Sequence, residues 1–203
     1  MSHKQHIAII GVGLMGHGIA QVFALAGHLV TVHAPSVDAL MSLRDRVRRN
    51  LIDLRQDASA ADRLHPVELL ADCVASADVV FEAGPENLAF KRQLFAELET
   101  LVPAHCTLAS NTSVIPITDI MRGLKPGQRA LSTHWWTLPY LVPLVEVIKT
   151  VETDAAVARA MFDLLAGRSR TPTWWASSSR LRSTRPCCRP STAHRARRPT
   201  SRG

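Results

Sequence analysis

Between residues 5 and 166, short apolar runs alternate with longer stretches whose apolar residues recur at helical spacing. Residues 5–10 read as a strand, 14–26 as a helix and 29–33 as a second strand. A long helix is expected over 37–55, a short strand over 64–67 and a helix over 68–75. Residues 78–82 read as a buried strand. Pro85 is expected to start a helix striped by Leu88, Leu94, Phe95, Leu98 and Leu101. Strands follow at 107–109, 130–133 and 142–148. Thr153 can cap a last helix with the stripe Val157, Ala160, Met161, Leu164 and Leu165, and Gly167 is a fitting stop. Strands alternating with helices predict an α/β domain around a mostly parallel sheet.

The first apolar run leads straight into Gly-x-Gly-x-x-Gly at Gly11, Gly13 and Gly16. Strand, tight turn and helix in that order form the dinucleotide-binding fingerprint of a Rossmann-like, doubly wound fold. Gly11 permits the sharp turn, Gly13 lets a pyrophosphate approach the backbone, and Gly16 lets helix pack on strand. Leu14 and Met15 lie where the free N–H groups of the helix start would face phosphates.

Composition changes the picture only once it is divided. The net charge is +7, but residues 167–203 hold ten of the twenty arginines and no Asp, Glu or Lys. The remainder carries 14 basic against 17 acidic residues, so a mildly acidic body meets a strongly basic tail. The expected division is therefore a dinucleotide-binding domain over 1–166 and an Arg/Ser/Pro-rich tail over 167–203. The tail has too little apolar periodicity to fold and is expected to be disordered. No run is long enough to cross a membrane, and no signal-peptide cleavage site follows residues 7–15. A cytoplasmic protein is expected. The four cysteines show no Cys-x-x-Cys spacing, so no metal site is indicated.

Five ordered segments converge on one family. They are Gly-Val-Gly-Leu-Met-Gly-His-Gly-Ile-Ala-Gln at 11–21, Glu-Asn-Leu-Ala-Phe-Lys at 86–91, Ser-Asn-Thr-Ser at 110–113, His-Trp-Trp at 134–136 and Val-Pro-Leu-Val-Glu-Val at 142–147. In order and spacing the body resembles the NAD-binding domain of the 3-hydroxyacyl-CoA dehydrogenases. The resemblance implies NAD as cofactor and an acyl-CoA substrate, with L-3-hydroxyacyl-CoA oxidised to 3-oxoacyl-CoA in fatty-acid metabolism. It implies His134 as general base and Glu146 as its partner. Ser113 would hydrogen-bond the substrate oxygen and lie near the nicotinamide. Glu86 and Lys91 would contact the nicotinamide-side ribose. Taken alone, these residues have plainer readings: Lys91 a solvated helix face, Ser113 a cap or turn, Trp135 and Trp136 plain core. Glu146 lies in an apolar strand, where an isolated carboxylate is costly to bury, so a partner is expected on physical grounds as well.

Three departures from the family qualify this reading. The acid that should end the second strand is replaced by Ala34, and Asp38 falls in the next helix. No Arg stands beside Ala34 in the sequence, so a switch to NADP is not signalled; weak NAD binding with little preference is expected. The family's Asn-Pro after the aromatic pair is Thr137-Leu138 here, which leaves Thr137 to help hold substrate with one hydroxyl. The family's helical C-terminal domain is replaced by the basic tail. Shifting the reading of Trp174-Trp175-Ala176 by one base gives an apolar residue, then Val, then Gly, which matches a family strand ending in Gly-Lys. The codons favour a shifted frame over a working nucleic-acid-binding tail. Nucleic acid is not expected as a partner, nor is the family's dimer without that domain, and impaired catalysis is expected. Alternatives are a dehydrogenase of another 3-hydroxy acid, of carnitine or gulonate type, or a non-catalytic nucleotide-binding remnant.

Overall fold

A computed structural model describes residues 4–167, and the expected basic tail lies outside the described residues apart from Gly167. The strands are β1 (His6–Ile10), β2 (Leu29–His33), β3 (Leu64–Pro66), β4 (Val79–Glu82), β5 (Thr107–Ser110), β6 (Ala130–Trp135) and β7 (Val145–Lys149). The helices are α1 (Leu14–Leu25), α2 (Val37–Met41), α3 (Leu43–Asp53), α4 (Leu70–Val74), α5 (Leu88–Leu101), α6 (Ile117–Ile120) and α7 (Ala155–Ala166). They flank a seven-stranded sheet of order β3-β2-β1-β4-β5-β6-β7, parallel except for β7. This is the Rossmann-like doubly wound arrangement, with its crevice where β1 meets β4 and the strand order reverses.

β1 is apolar nearly throughout because both of its faces are covered. Its alternation sends Ile7 and Ile9 into one core with Ile19, Phe23, Phe81 and Trp135. Ala8 and Ile10 enter a second core with Val80, Leu94, Phe95 and Leu98. Phe23 and Phe81 pack with ring centroids 4.9 Å apart, and each lies 6.0 Å from Trp135, which ties α1, β4 and β6 together. Burying such a ring contributes roughly 1.5–3 kcal/mol.

Several boundaries differ from the sequence reading. The helix expected over 37–55 is two: the Ser42 hydroxyl donates to Ala39 O as α2 ends, and α3 starts anew at Leu43. α5 starts three residues after Pro85, at Leu88, because the Asn87 side chain accepts the Phe90 N–H and supplies the cap. β7 begins at Val145 rather than residue 142. α7 is capped by Asp154, while Thr153 turns its hydroxyl to the Ala130 carbonyl beneath it. The short helix α6 has no counterpart in the sequence reading.

Candidate active site

The parallel strands present their C-terminal ends along one edge of the sheet, and the loops there carry the chemistry. Gly11 leaves β1 at φ +107° and its N–H donates to His33 O at 2.8 Å, locking the loop to the end of β2. A Cβ on Gly16 would lie 1.9 Å from Gly11 O, so only glycine lets α1 approach so closely. A Cβ on Gly13 would meet nothing within 4 Å. Open space therefore faces the backbone where a pyrophosphate would lie. Gly13 caps α1 without a side-chain bond, and no acidic residue occupies the first turn, so the leading N–H groups suit an anion. Leu14 is exposed at the helix start and Met15 rests against the core. The loop fits a dinucleotide.

The adenosine side departs from the usual pattern. Ala34 is buried at the end of β2, with no carboxylate to receive ribose hydroxyls. Asp38 stands exposed on α2. Although no arginine neighbours Ala34 in sequence, Arg46 on α3 folds back to the glycine loop. It donates to Val12 O at 3.1 Å and Ala39 O at 3.0 Å.

His134 and Glu146 are register partners on antiparallel β6 and β7, so both side chains leave the same face. His134 Nδ1 lies 2.9 Å from Glu146 Oε2. A bond to the carboxylate places the proton on Nδ1 and leaves Nε2 with a free lone pair. On the opposite face, Leu131, Trp135, Val145 and Val147 enter the core and hold the two strands rigid. The β5–α6 loop is tied to this strand, because Asn111 Oδ1 accepts the Trp135 N–H at 3.2 Å.

Glu86 gathers that loop. Its Oε1 accepts from the Thr112 hydroxyl and from the Ser113 and Val114 N–H groups, the latter two at 3.2 Å. Burial pushes the Glu86 carboxyl up, but these hydrogen bonds and the Lys91 charge together outweigh it and hold it below the usual carboxylate range. Ser113 is exposed and leans on Glu86 through its backbone. Thr137 is exposed too, and its side chain makes no hydrogen bond among the described residues.

Lys91 is neither solvated nor open to the loop. It is fully buried, bonded to both carboxylate oxygens of Glu82 at 2.7 and 2.8 Å, with Glu86 Oε2 at 3.7 Å. Glu82 also accepts from Ser110 and from Gly84 N. The sequence reading missed Glu82 as a site residue. Two signals were present: Glu82 shares strand parity with buried Val80, and Lys91 precedes Leu94, Phe95 and Leu98 on the buried stripe of α5.

Comparison with known proteins identifies the family. The family model described as "3-hydroxyacyl-CoA dehydrogenase, NAD binding domain" matches residues 6–177. An L-carnitine dehydrogenase of Streptomyces griseus is 36% identical over 171 residues, covering 81% of this chain and 51% of that protein. A 3-hydroxyadipyl-CoA dehydrogenase of Escherichia coli K12 is 34% identical over 180 residues, covering 85% and 38%. The crystal structure of an Escherichia coli K12 3-hydroxybutyryl-CoA dehydrogenase superposes with a TM-score of 0.76 at 32% identity, covering 83% of this chain and 37% of that one. The chain thus spans about half or less of the length of these relatives. No helix among the described residues is long and apolar enough to cross a membrane. With the glycine loop, the sheet order and the family match in agreement, this chain belongs to the 3-hydroxyacyl-CoA dehydrogenase family through its NAD-binding domain.

Proposed function

We propose that this chain carries the cofactor half of a site that oxidises the 3-hydroxyl of an L-3-hydroxyacyl-CoA to a ketone. The observation that carries this reading is the 2.9 Å contact of His134 with Glu146 on the sheet edge that holds the glycine loop. NAD, when bound, supplies the acceptor for the hydride that leaves C3. His134 Nε2 takes the hydroxyl proton as the carbonyl forms. Glu146 holds the imidazole in the tautomer with Nδ1 protonated and stabilises the imidazolium that results. Glu86 keeps the Ser113 loop in place, and Ser113 and Thr137 offer hydroxyls to the substrate oxygen. Gly11, Gly13, Leu14, Met15 and Gly16 form the pyrophosphate cradle, Glu86 faces the nicotinamide-side ribose, and the buried Lys91 acts there only by holding Glu82 and Glu86. The cofactor domain spans residues 1–166, and the Arg/Ser/Pro-rich tail follows over 167–203.

The test follows NADH consumption with acetoacetyl-CoA. His134→Ala is expected to abolish turnover and Glu146→Gln to remove most of it. Full activity in His134→Ala would overturn the assignment. The carnitine dehydrogenase relative favours a second substrate of the same chemistry. Reduction of NAD by L-carnitine, with no turnover of the CoA thioester, would select it.

A further inference from the structure

We propose that Arg46 forms a subsite for the 2′-phosphate of NADP, so that this chain takes NADP(H) as well as NAD(H). The inference rests on the dinucleotide reading of the glycine loop and is independent of the roles given to His134 and Glu146.

Arg46 is half-buried, and its two terminal nitrogens are anchored on the Val12 and Ala39 carbonyls. Val12 lies inside the glycine loop, and Ala39 lies on α2, just beyond the end of β2. The guanidinium is therefore held between the two segments that border the adenosine ribose in this fold. Its Nε is buried and has no partner. No carboxylate forms an ion pair with Arg46 among the described residues. A partly buried cation resting only on carbonyl dipoles is incompletely compensated, and an anion is the ligand that completes it.

Its charge reaches the loop. His17 Nδ1 donates to Gly13 O at 2.9 Å, and burial holds this imidazole below its ordinary range, with the Arg46 charge acting in the same direction. The position whose acid normally repels a 2′-phosphate is Ala34, buried and uncharged. An acid there selects a free 2′-hydroxyl by accepting a hydrogen bond from it and repelling phosphate. Here the repulsion is absent and a positive group is present. Asp38, the carboxylate nearest Ala34 in sequence, is exposed on α2, and Asp45, next to Arg46, pairs with Arg48 instead.

The experiment is calorimetric titration of the full chain with NADH, NADPH, 5′-AMP and 2′,5′-ADP. Wild type is expected to bind NADPH at least as tightly as NADH, and 2′,5′-ADP more tightly than 5′-AMP. Arg46→Gln should weaken NADPH and 2′,5′-ADP by about tenfold or more, the worth of a charge-assisted hydrogen bond. NADH should change less than about threefold by the same reckoning. Arg46→Lys keeps the charge and should retain part of the preference. Ala34→Asp, which leaves Arg46 in place, should tighten NADH and weaken NADPH. Equal weakening of both dinucleotides in Arg46→Gln would show that Arg46 only braces the loop, and would overturn the proposal. So would a wild type that prefers NADH a hundredfold. Binding of neither dinucleotide would instead overturn the reading of the glycine loop itself, and the subsite with it. NADH binding without turnover in the assays above would leave the subsite standing and count against the catalytic reading alone.

Discussion

The Lys91 ammonium lies 2.7 Å from Oε1 of Glu82, with neither side chain exposed to solvent. The pair joins α5 to the end of β4, and through Ser110 it reaches β5 as well. Glu86 touches the same ammonium more loosely while binding the Ser113 loop. One buried cation thus sets the distance between two loops that border the cofactor crevice.

Breaking this pair should cost far more than its net worth. Lys91→Met or Glu82→Gln alone should lower unfolding free energy by about 3–5 kcal/mol, because each leaves a buried group without its partner. The double variant should recover much of that loss. Urea denaturation of the three variants checks this; single losses below about 1 kcal/mol would contradict a tightly coupled buried pair.

Glu86 should make the loop sensitive to acid. Its carboxyl is held below the usual range in the folded protein, so the unfolded chain binds the proton more readily. The stability it contributes is fully present above the unfolded value of about 4.3. It is lost as pH falls through the lower folded value. The melting-temperature gap between wild type and Glu86→Gln should therefore narrow below about pH 4. A gap that stays constant from pH 7 to pH 3 would refute the linkage.

Two glycines should separate folding from binding. Gly16→Ala places a Cβ 1.9 Å from Gly11 O and should lower both the melting temperature and dinucleotide affinity. Gly13→Ala meets nothing within 4 Å and has an ordinary φ of −64°, so stability should hold. Its methyl group fills the space meant for the pyrophosphate, so affinity for NADH should fall. Unchanged NADH binding in Gly13→Ala would mean that the phosphates lie elsewhere.

Leu138 carries φ +62°, a left-handed conformation that costs a side chain about 1–2 kcal/mol. Leu138→Gly should stabilise the protein by part of that amount. Leu138→Pro, the residue the resembled family carries there, should destabilise it, since proline is fixed near φ −65°. A thermal melt in which the proline variant equals wild type would show that the turn after Trp136 rearranges freely.

Much of this fold was legible in the sequence because its signals are local. The runs at β1 and β4 are apolar on both parities, and the glycines of the first loop follow β1 directly. The position of Glu146 in an apolar strand already demanded a partner, and the 12-residue separation from His134 places the two across adjacent strands. Helix boundaries at Ser42 and Asn87 were less legible, because a single side chain bonding to nearby backbone overrides periodicity over one or two residues.

What only the tertiary structure decided is which distant charges meet. Lys91 reads as a surface lysine until α5 is docked with its Leu94–Phe95–Leu98 stripe inward, which carries the ammonium onto Glu82. Arg46 lies twelve positions from Ala34 in the sequence, yet the break at Ser42 returns α3 to the glycine loop and sets its guanidinium on Val12. Periodicity records which face of an element is buried. The electrostatics of the site depend on how those faces pack together, and that is fixed by the fold as a whole.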